Sequence, residues 1–71
     1  MSTEIKAPMT GKIVSIVVKA GEKVGSEDEV IIMDAMKMEI PVYASVDGTV
    51  KEINVKEGDS VKTDQILMIL D

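Results

Sequence analysis

The residues of this chain that can do chemistry are concentrated in one short segment, Ala35-Met36-Lys37-Met38, almost at the midpoint of the 71 residues. A lysine amine is a nucleophile that can form an amide with an activated carboxyl group. The chain contains no cysteine and no histidine, which excludes disulfides and Cys/His metal clusters. We interpret the lysine and its flanking methionines as an attachment point for a covalently bound cofactor.

The two halves of the chain resemble each other without gaps when the sequence is shifted by 37 residues. The identical pairs include Gly11/Gly48, Ile16/Ile53, Val18/Val55, Lys19/Lys56, Gly21/Gly58, Val24/Val61 and Asp34/Asp71. Close substitutions, such as Ile13/Val50 and Glu22/Asp59, lie between them. This repeat predicts two similar halves of four strands each, related by a pseudo-twofold axis.

Apolar residues within the repeat follow the period of a β-strand. Ile16 and Val18 keep the two-residue alternation of a half-buried strand. Ile13 lies three positions before Ile16, which breaks the alternation by one residue. One extra residue in the strand would restore it, so we predict a β-bulge at 14–15 and another at the equivalent 51–52.

The predicted strands span 3–7, 11–18, 23–25, 29–34, 38–43, 48–55, 60–62 and 66–70. Gly21 and Gly58 each follow a strand, and we expect both to adopt positive φ in tight turns. The predicted fold class is all-β, a flattened eight-stranded sandwich or barrel in a single domain, 1–71. The hairpin 34–38 joins the fourth and fifth strands and presents Lys37 at an exposed tip.

Charge and hydropathy exclude several classes of partner. The net charge is -5 and the sequence pI is about 4.6, which argues against binding to a nucleic-acid backbone. The first eight residues lack the apolar stretch of a signal peptide, and no apolar run approaches the ~20 residues of a membrane-spanning helix. We therefore expect no direct membrane insertion and a cytoplasmic location.

Two segments resemble the signature motifs of one family. Residues 33–39, Met-Asp-Ala-Met-Lys-Met-Glu, resemble the biotinylation motif of biotin carboxyl carrier domains, which commonly reads E-A-M-K-M-E. Residues 7–11, Ala-Pro-Met-Thr-Gly, resemble a second motif of that family, A-P-M-P-G, with Thr10 in place of a proline. The resemblance covers the whole chain and identifies it as a member of the biotinyl-lipoyl attachment family.

The resemblance implies a flattened eight-stranded sandwich that carries biotin in amide linkage to Lys37. It implies a non-catalytic carrier that shuttles a carboxyl group between biotin carboxylase and carboxyltransferase or decarboxylase sites, as a domain or subunit of a carboxylase, transcarboxylase or decarboxylase. Biotin protein ligase would be the partner that attaches the cofactor. Ala35, Met36 and Met38 would adjoin the cofactor. Because Met36 and Met38 flank a lysine in a turn and alternate to the same side, we expect both to be exposed rather than to fill the core. Glu39 and Asp34 are candidate contacts for the ligase.

Three alternatives remain beside this hypothesis. A lipoyl domain has the same fold and a hairpin lysine, but its hairpin usually reads D-K-A, whereas methionines flank Lys37 here. An unmodified β-sandwich could instead use the methionine hairpin to dock on a partner protein. An enzyme in its own right is disfavoured because the sequence offers no pairing of nucleophile and base.

Overall fold

The structure is a computed structural model that describes residues 2–71 and is built from eight β-strands. The strands are β1 (Thr3–Lys6), β2 (Gly11–Ile16), β3 (Lys23–Val24), β4 (Glu29–Ala35), β5 (Met38–Tyr43), β6 (Gly48–Ile53), β7 (Ser60–Val61) and β8 (Ile66–Leu70). Every predicted strand is present, with ends that differ by two residues at most. Within residues 2–71, no helix has the length and apolar character needed to cross a membrane.

The strands form two four-stranded sheets, so the predicted all-β sandwich is confirmed. One sheet has the order β1-β8-β6-β3 and the other has the order β5-β4-β2-β7. Each sheet therefore takes two strands from each half of the sequence. Moving every strand to its counterpart in the other half converts one sheet order into the other, which is the topology that a pseudo-twofold axis requires.

The strand register repeats between the halves as well. The β1–β8 pairs are Thr3↔Leu70, Glu4↔Ile69, Ile5↔Met68 and Lys6↔Ile66. The β5–β4 pairs are Ile40↔Met33, Pro41↔Ile32, Val42↔Ile31 and Tyr43↔Glu29. A shift of 37 residues converts each pair of the first set into a pair of the second. Since register decides which side chains face inward, the repeat in sequence produces the same core pattern twice.

Both predicted bulges and both turn glycines are confirmed. The β2–β4 register shifts between Ile13 and Ser15, and the β6–β8 register shifts between Val50 and Glu52. Gly21 and Gly58 have φ of 91° and 93°. Their N–H groups donate to the carbonyls of Val50 and Ile13, each at 2.7 Å. These two hydrogen bonds are equivalent under the pseudo-twofold axis. The turn after β2 is thereby joined to β6, and the turn after β6 is joined to β2.

The core lies between the sheets and is filled by aliphatic side chains. Its largest fully buried members are Ile13, Ile31, Met33, Leu67, Met68 and Leu70. No polar or charged side chain is buried among residues 2–71. Burial of apolar area is therefore the main force that holds the sheets together, and the charged residues lie on the outer surface.

Candidate functional site

The β4–β5 hairpin holds the lysine segment. Ala35 pairs with Met38, Asp34 with Glu39, and Met33 with Ile40. The ladder therefore continues to the last pair before the tip, and Met36 and Lys37 are left as the two residues of the connection. The predicted connection, 34–38, is shorter in the structure because β4 extends through Ala35 and pairs with the first residue of β5.

The two tip residues adopt an uncommon backbone conformation. Met36 has φ of 54° and Lys37 has φ of 64°, so both lie in the left-handed region that a type I′ hairpin turn requires. Such turns usually contain Asn-Gly or Asp-Gly, because a Cβ in this region costs roughly 1–2 kcal/mol per residue. The turn accordingly stores backbone strain at the point where the lysine is displayed. The amino-acid order does not predict this feature, since no glycine or asparagine marks the turn.

Exposure of the flanking methionines is as predicted. Met36 is 87% exposed and Met38 is 65% exposed, and Lys37 between them is exposed as well. Met33, three residues before Met36, is 0% exposed and lies in the core. The hairpin therefore has one methionine that packs the sandwich and two that present their thioethers to solvent beside the amine. For Met36 and Met38, the interpretation as core fillers is wrong.

Ala35 lies on the inner side of the hairpin. It is 3% exposed, so its methyl group faces the protein and not the solvent around Lys37. A Cβ atom added to Gly11 would lie 2.6 Å from the carbonyl oxygen of Asp34. The start of β2 thus lies directly against the base of the hairpin, and the small residues Gly11 and Ala35 allow this approach.

Charged side chains flank the hairpin on its outer face. Asp34 pairs across the strands with Glu39, and on its other side it pairs with Lys12 of β2. Directly opposed like charges repel each other, whereas Lys12 offsets part of the negative charge. Lys12 is not recognisable from the sequence as a neighbour of the hairpin, because only the strand register brings it beside Asp34.

The side chain of Lys37 is exposed to solvent. The ion pair described within residues 2–71 is Glu4–Lys6 at 4.0 Å, so no carboxylate there neutralises the Lys37 ammonium group. An amide bond to biotin needs an amine that a second protein can reach. It also needs a backbone that holds the lysine in a fixed position. An exposed lysine at the tip of a paired two-stranded stem meets both conditions, so these residues fit a covalent biotin.

Comparisons with known proteins agree with this geometry. The family model described as "Biotin-requiring enzyme" matches residues 3–70. The chain is 30% identical over 70 residues to the "Biotinylated protein TB7.3 homolog" of Mycobacterium leprae, with 99% of each chain covered. The likeness therefore extends over nearly the full length of both sequences.

Parts of two larger proteins are also similar to this chain. It is 38% identical over 66 residues to pyruvate carboxylase of Bacillus subtilis, a match that covers 93% of this chain and 6% of that protein. The crystal structure of Kluyveromyces lactis urea carboxylase superposes with a TM-score of 0.94 and 31% identity, covering 100% of this chain and 6% of that one. The chain thus spans a small fraction of each carboxylase. It belongs to the biotin-requiring enzyme family, which confirms the resemblance read from its motifs and supports covalent biotin as its cofactor.

Proposed function

We propose that Lys37 is the residue that carries biotin and that the domain moves a carboxyl group between the active sites of partner enzymes. The observation that carries this proposal is the position of Lys37, which is exposed at the tip of a two-residue turn between two exposed methionines. The likeness to segments of pyruvate carboxylase and urea carboxylase supports a carboxylase context. When bound, biotin supplies the atom that carries the carboxyl group.

The chain's own part in attachment is to present the amine. The Lys37 nitrogen attacks an activated carboxyl group, and a proton is released as the amide forms. We assign removal of that proton to biotin protein ligase, since no carboxylate within residues 2–71 forms an ion pair with Lys37. The ligase would also activate the carboxyl group of biotin, and amide formation releases the activating group. The strained turn gives the ligase one defined lysine geometry to recognise.

The residues around Lys37 have separable roles in this proposal. Met36 and Met38 offer polarisable apolar contacts to the enzymes that the domain visits. Ala35 is buried against the start of β2, so it would position the turn and would not touch the ring. Asp34 and Glu39 form an exposed acidic pair on the stem, which suits contact with basic side chains of the ligase.

The domain would not catalyse the carboxyl transfer itself. The sandwich positions the lysine, and the chemistry belongs to the cofactor and to the partner enzymes. Attachment through a flexible side chain gives the cofactor an effective concentration of order mM at neighbouring active sites. The partners would be a biotin carboxylase and a carboxyltransferase or decarboxylase, acting on an acyl-CoA or a 2-oxo acid. The cytoplasmic location remains a prediction.

Intact mass spectrometry tests the attachment site. The chain is co-expressed with biotin protein ligase as wild type, as Lys37→Arg and as Lys56→Arg. We expect a biotin-sized increment in wild type and in Lys56→Arg, and none in Lys37→Arg. Lys56 is the matched control because it is exposed, as Lys37 is, but lies outside the hairpin. An increment that persists in Lys37→Arg would contradict the proposal, and so would a lipoate-sized increment in wild type after co-expression with a lipoate ligase.

A further inference from the structure

A surface groove runs beside the lysine hairpin, on the side that faces β2 and β7. It lies between the start of β2, the end of β4 and the turn that follows β7. The side chains that give it its chemistry are Thr10, Lys12, Asp34, Met36, Lys62 and Gln65. Met36 adjoins Lys37 in the chain, so the groove begins next to the modified residue.

Hydrogen bonds hold the far wall of this groove in place. The N–H of Thr63 donates to Oγ1 of Thr10 at 3.3 Å, which ties the turn after β7 to the loop before β2. Within that turn, the N–H of Lys62 donates to Oε1 of Gln65 at 3.0 Å, and the N–H of Gln65 donates to the carbonyl of Lys62 at 3.0 Å. The wall is therefore a built part of the fold, formed before any ligand arrives.

The groove offers both polar and apolar contacts. Lys12 and Lys62 contribute ammonium donors, Asp34 contributes a carboxylate acceptor, and Met36 contributes an exposed apolar surface. The ring system of biotin combines a ureido group, which has one carbonyl acceptor and two N–H donors, with an apolar thioether ring. Hydrogen bonds to charged partners are roughly twice as strong as neutral ones, so these side chains match both the polar and the apolar part of the ring.

We propose that this groove is the resting site of the biotin ring when the ring is not at a partner's active site. The inference rests on the proposed attachment at Lys37. Because the ring is tethered, its effective concentration at the groove is of order mM, so weak intrinsic affinity is enough for substantial occupancy. Weak binding also lets the ring leave quickly when a partner enzyme docks. The groove thereby shields the ring from solvent without competing with the partners.

The pseudo-twofold axis supplies an internal control. The groove residues 10–12 and 60–65 have the equivalents 47–49 and 23–28. Ser26 N–H donates to Oδ1 of Asp47 at 2.9 Å, in the place of the bond from Thr63 to Thr10. This equivalent surface has the same backbone but no lysine hairpin beside it, so an attached ring should leave it unchanged.

Nuclear magnetic resonance of the ¹⁵N-labelled chain tests the proposal, with and without biotin, after mass spectrometry has shown complete attachment. We expect chemical-shift changes at amides 10–12 and 60–65, in addition to those at the hairpin, and none at 47–49 or 23–28. Lys62→Glu should reduce the groove changes by about half or more, because it replaces a charged donor with an acceptor. Lys23→Glu, the same exchange on the equivalent surface, should leave them as in wild type.

Each other outcome has a distinct meaning. Changes confined to 35–39 in fully biotinylated protein would overturn the resting site and leave the attachment site intact. Groove changes that are the same in wild type and in Lys62→Glu would also overturn it, provided that the variant's remaining spectrum shows it folded. If mass spectrometry finds no attachment, the proposed function fails, and the resting site fails with it.

Discussion

Gly11 and Ala35 approach each other so closely that a Cβ atom added to Gly11 would stand 3.0 Å from the Cβ of Ala35. The same added atom would stand 2.6 Å from the carbonyl oxygen of Asp34. This contact joins the two segments that carry the family resemblance, 7–11 and 33–39. The contact explains why each of these two segments has a small residue here, since the start of β2 packs against the base of the hairpin.

Gly11→Ala should therefore destabilise the fold by about 1–3 kcal/mol, the usual cost of overpacking. The atom that blocks the new methyl group is a backbone oxygen, which cannot move without breaking the β2–β4 ladder. Urea unfolding measures the change. Gly25→Ala is the matched control, because its added Cβ would meet nothing closer than 3.7 Å. Equal unfolding midpoints for the two variants would show that the close approach is relaxed in solution.

Met36 and Met38 provide a test of the strained turn. Both are exposed, but Met36 has positive φ whereas Met38 begins a strand. Met36→Gly should raise the free energy of unfolding by about 0.5 kcal/mol, because relief of the left-handed strain outweighs the added entropy of the unfolded chain. Met38→Gly should lower it by about 0.5–1 kcal/mol, because glycine weakens a strand. Thermal unfolding of both variants checks the opposite signs, and a loss of stability in Met36→Gly would contradict the turn geometry.

Glu39 tests the acidic pair on the stem. Glu39→Gln should raise the unfolding midpoint at low salt, because it removes the repulsion from Asp34 across the strands. The difference from wild type should shrink at high salt as exposed charges are screened. Glu29→Gln serves as the control, since Glu29 pairs with the uncharged Tyr43. If Glu39 contacts the ligase as proposed, Glu39→Gln will also be biotinylated more slowly although it is more stable.

The methionines of the hairpin should differ sharply in reactivity and in their contribution to stability. Met33→Ala should lower the free energy of unfolding by about 2–5 kcal/mol, because it leaves a cavity in the core. Met36→Ala should change it by no more than about 0.5 kcal/mol, as is usual for a surface side chain. Brief treatment of the folded protein with hydrogen peroxide, followed by peptide mass mapping, should oxidise Met36 and Met38 well before Met33. Rapid oxidation of Met33 would show that the hairpin opens from the sandwich.

Much of this architecture can be predicted from the sequence, because it depends on short-range patterns of residues. The two-residue alternation around Ile16 indicates a strand, and the single break before it indicates the bulge that the register confirms. The repeat predicts that Gly21 and Gly58 form equivalent turns, and both have positive φ. The same local reading places Lys37 between two strands and Met36 and Met38 in solvent.

Other features follow only from contacts between distant segments. The exchange of strands between halves, which puts β8 beside β1, depends on how the sheets bury their apolar faces together, and no local pattern encodes that choice. The same holds for Lys12 beside Asp34 and for the close approach of Gly11 to the hairpin. The left-handed conformation of Met36 and Lys37 is also imposed from outside the turn. Neither residue prefers it, but pairing of Ala35 with Met38 leaves a connection of two residues. A hairpin of that length matches the twist of its strands in type I′ and type II′ turns, and type I′ places both residues in the left-handed region.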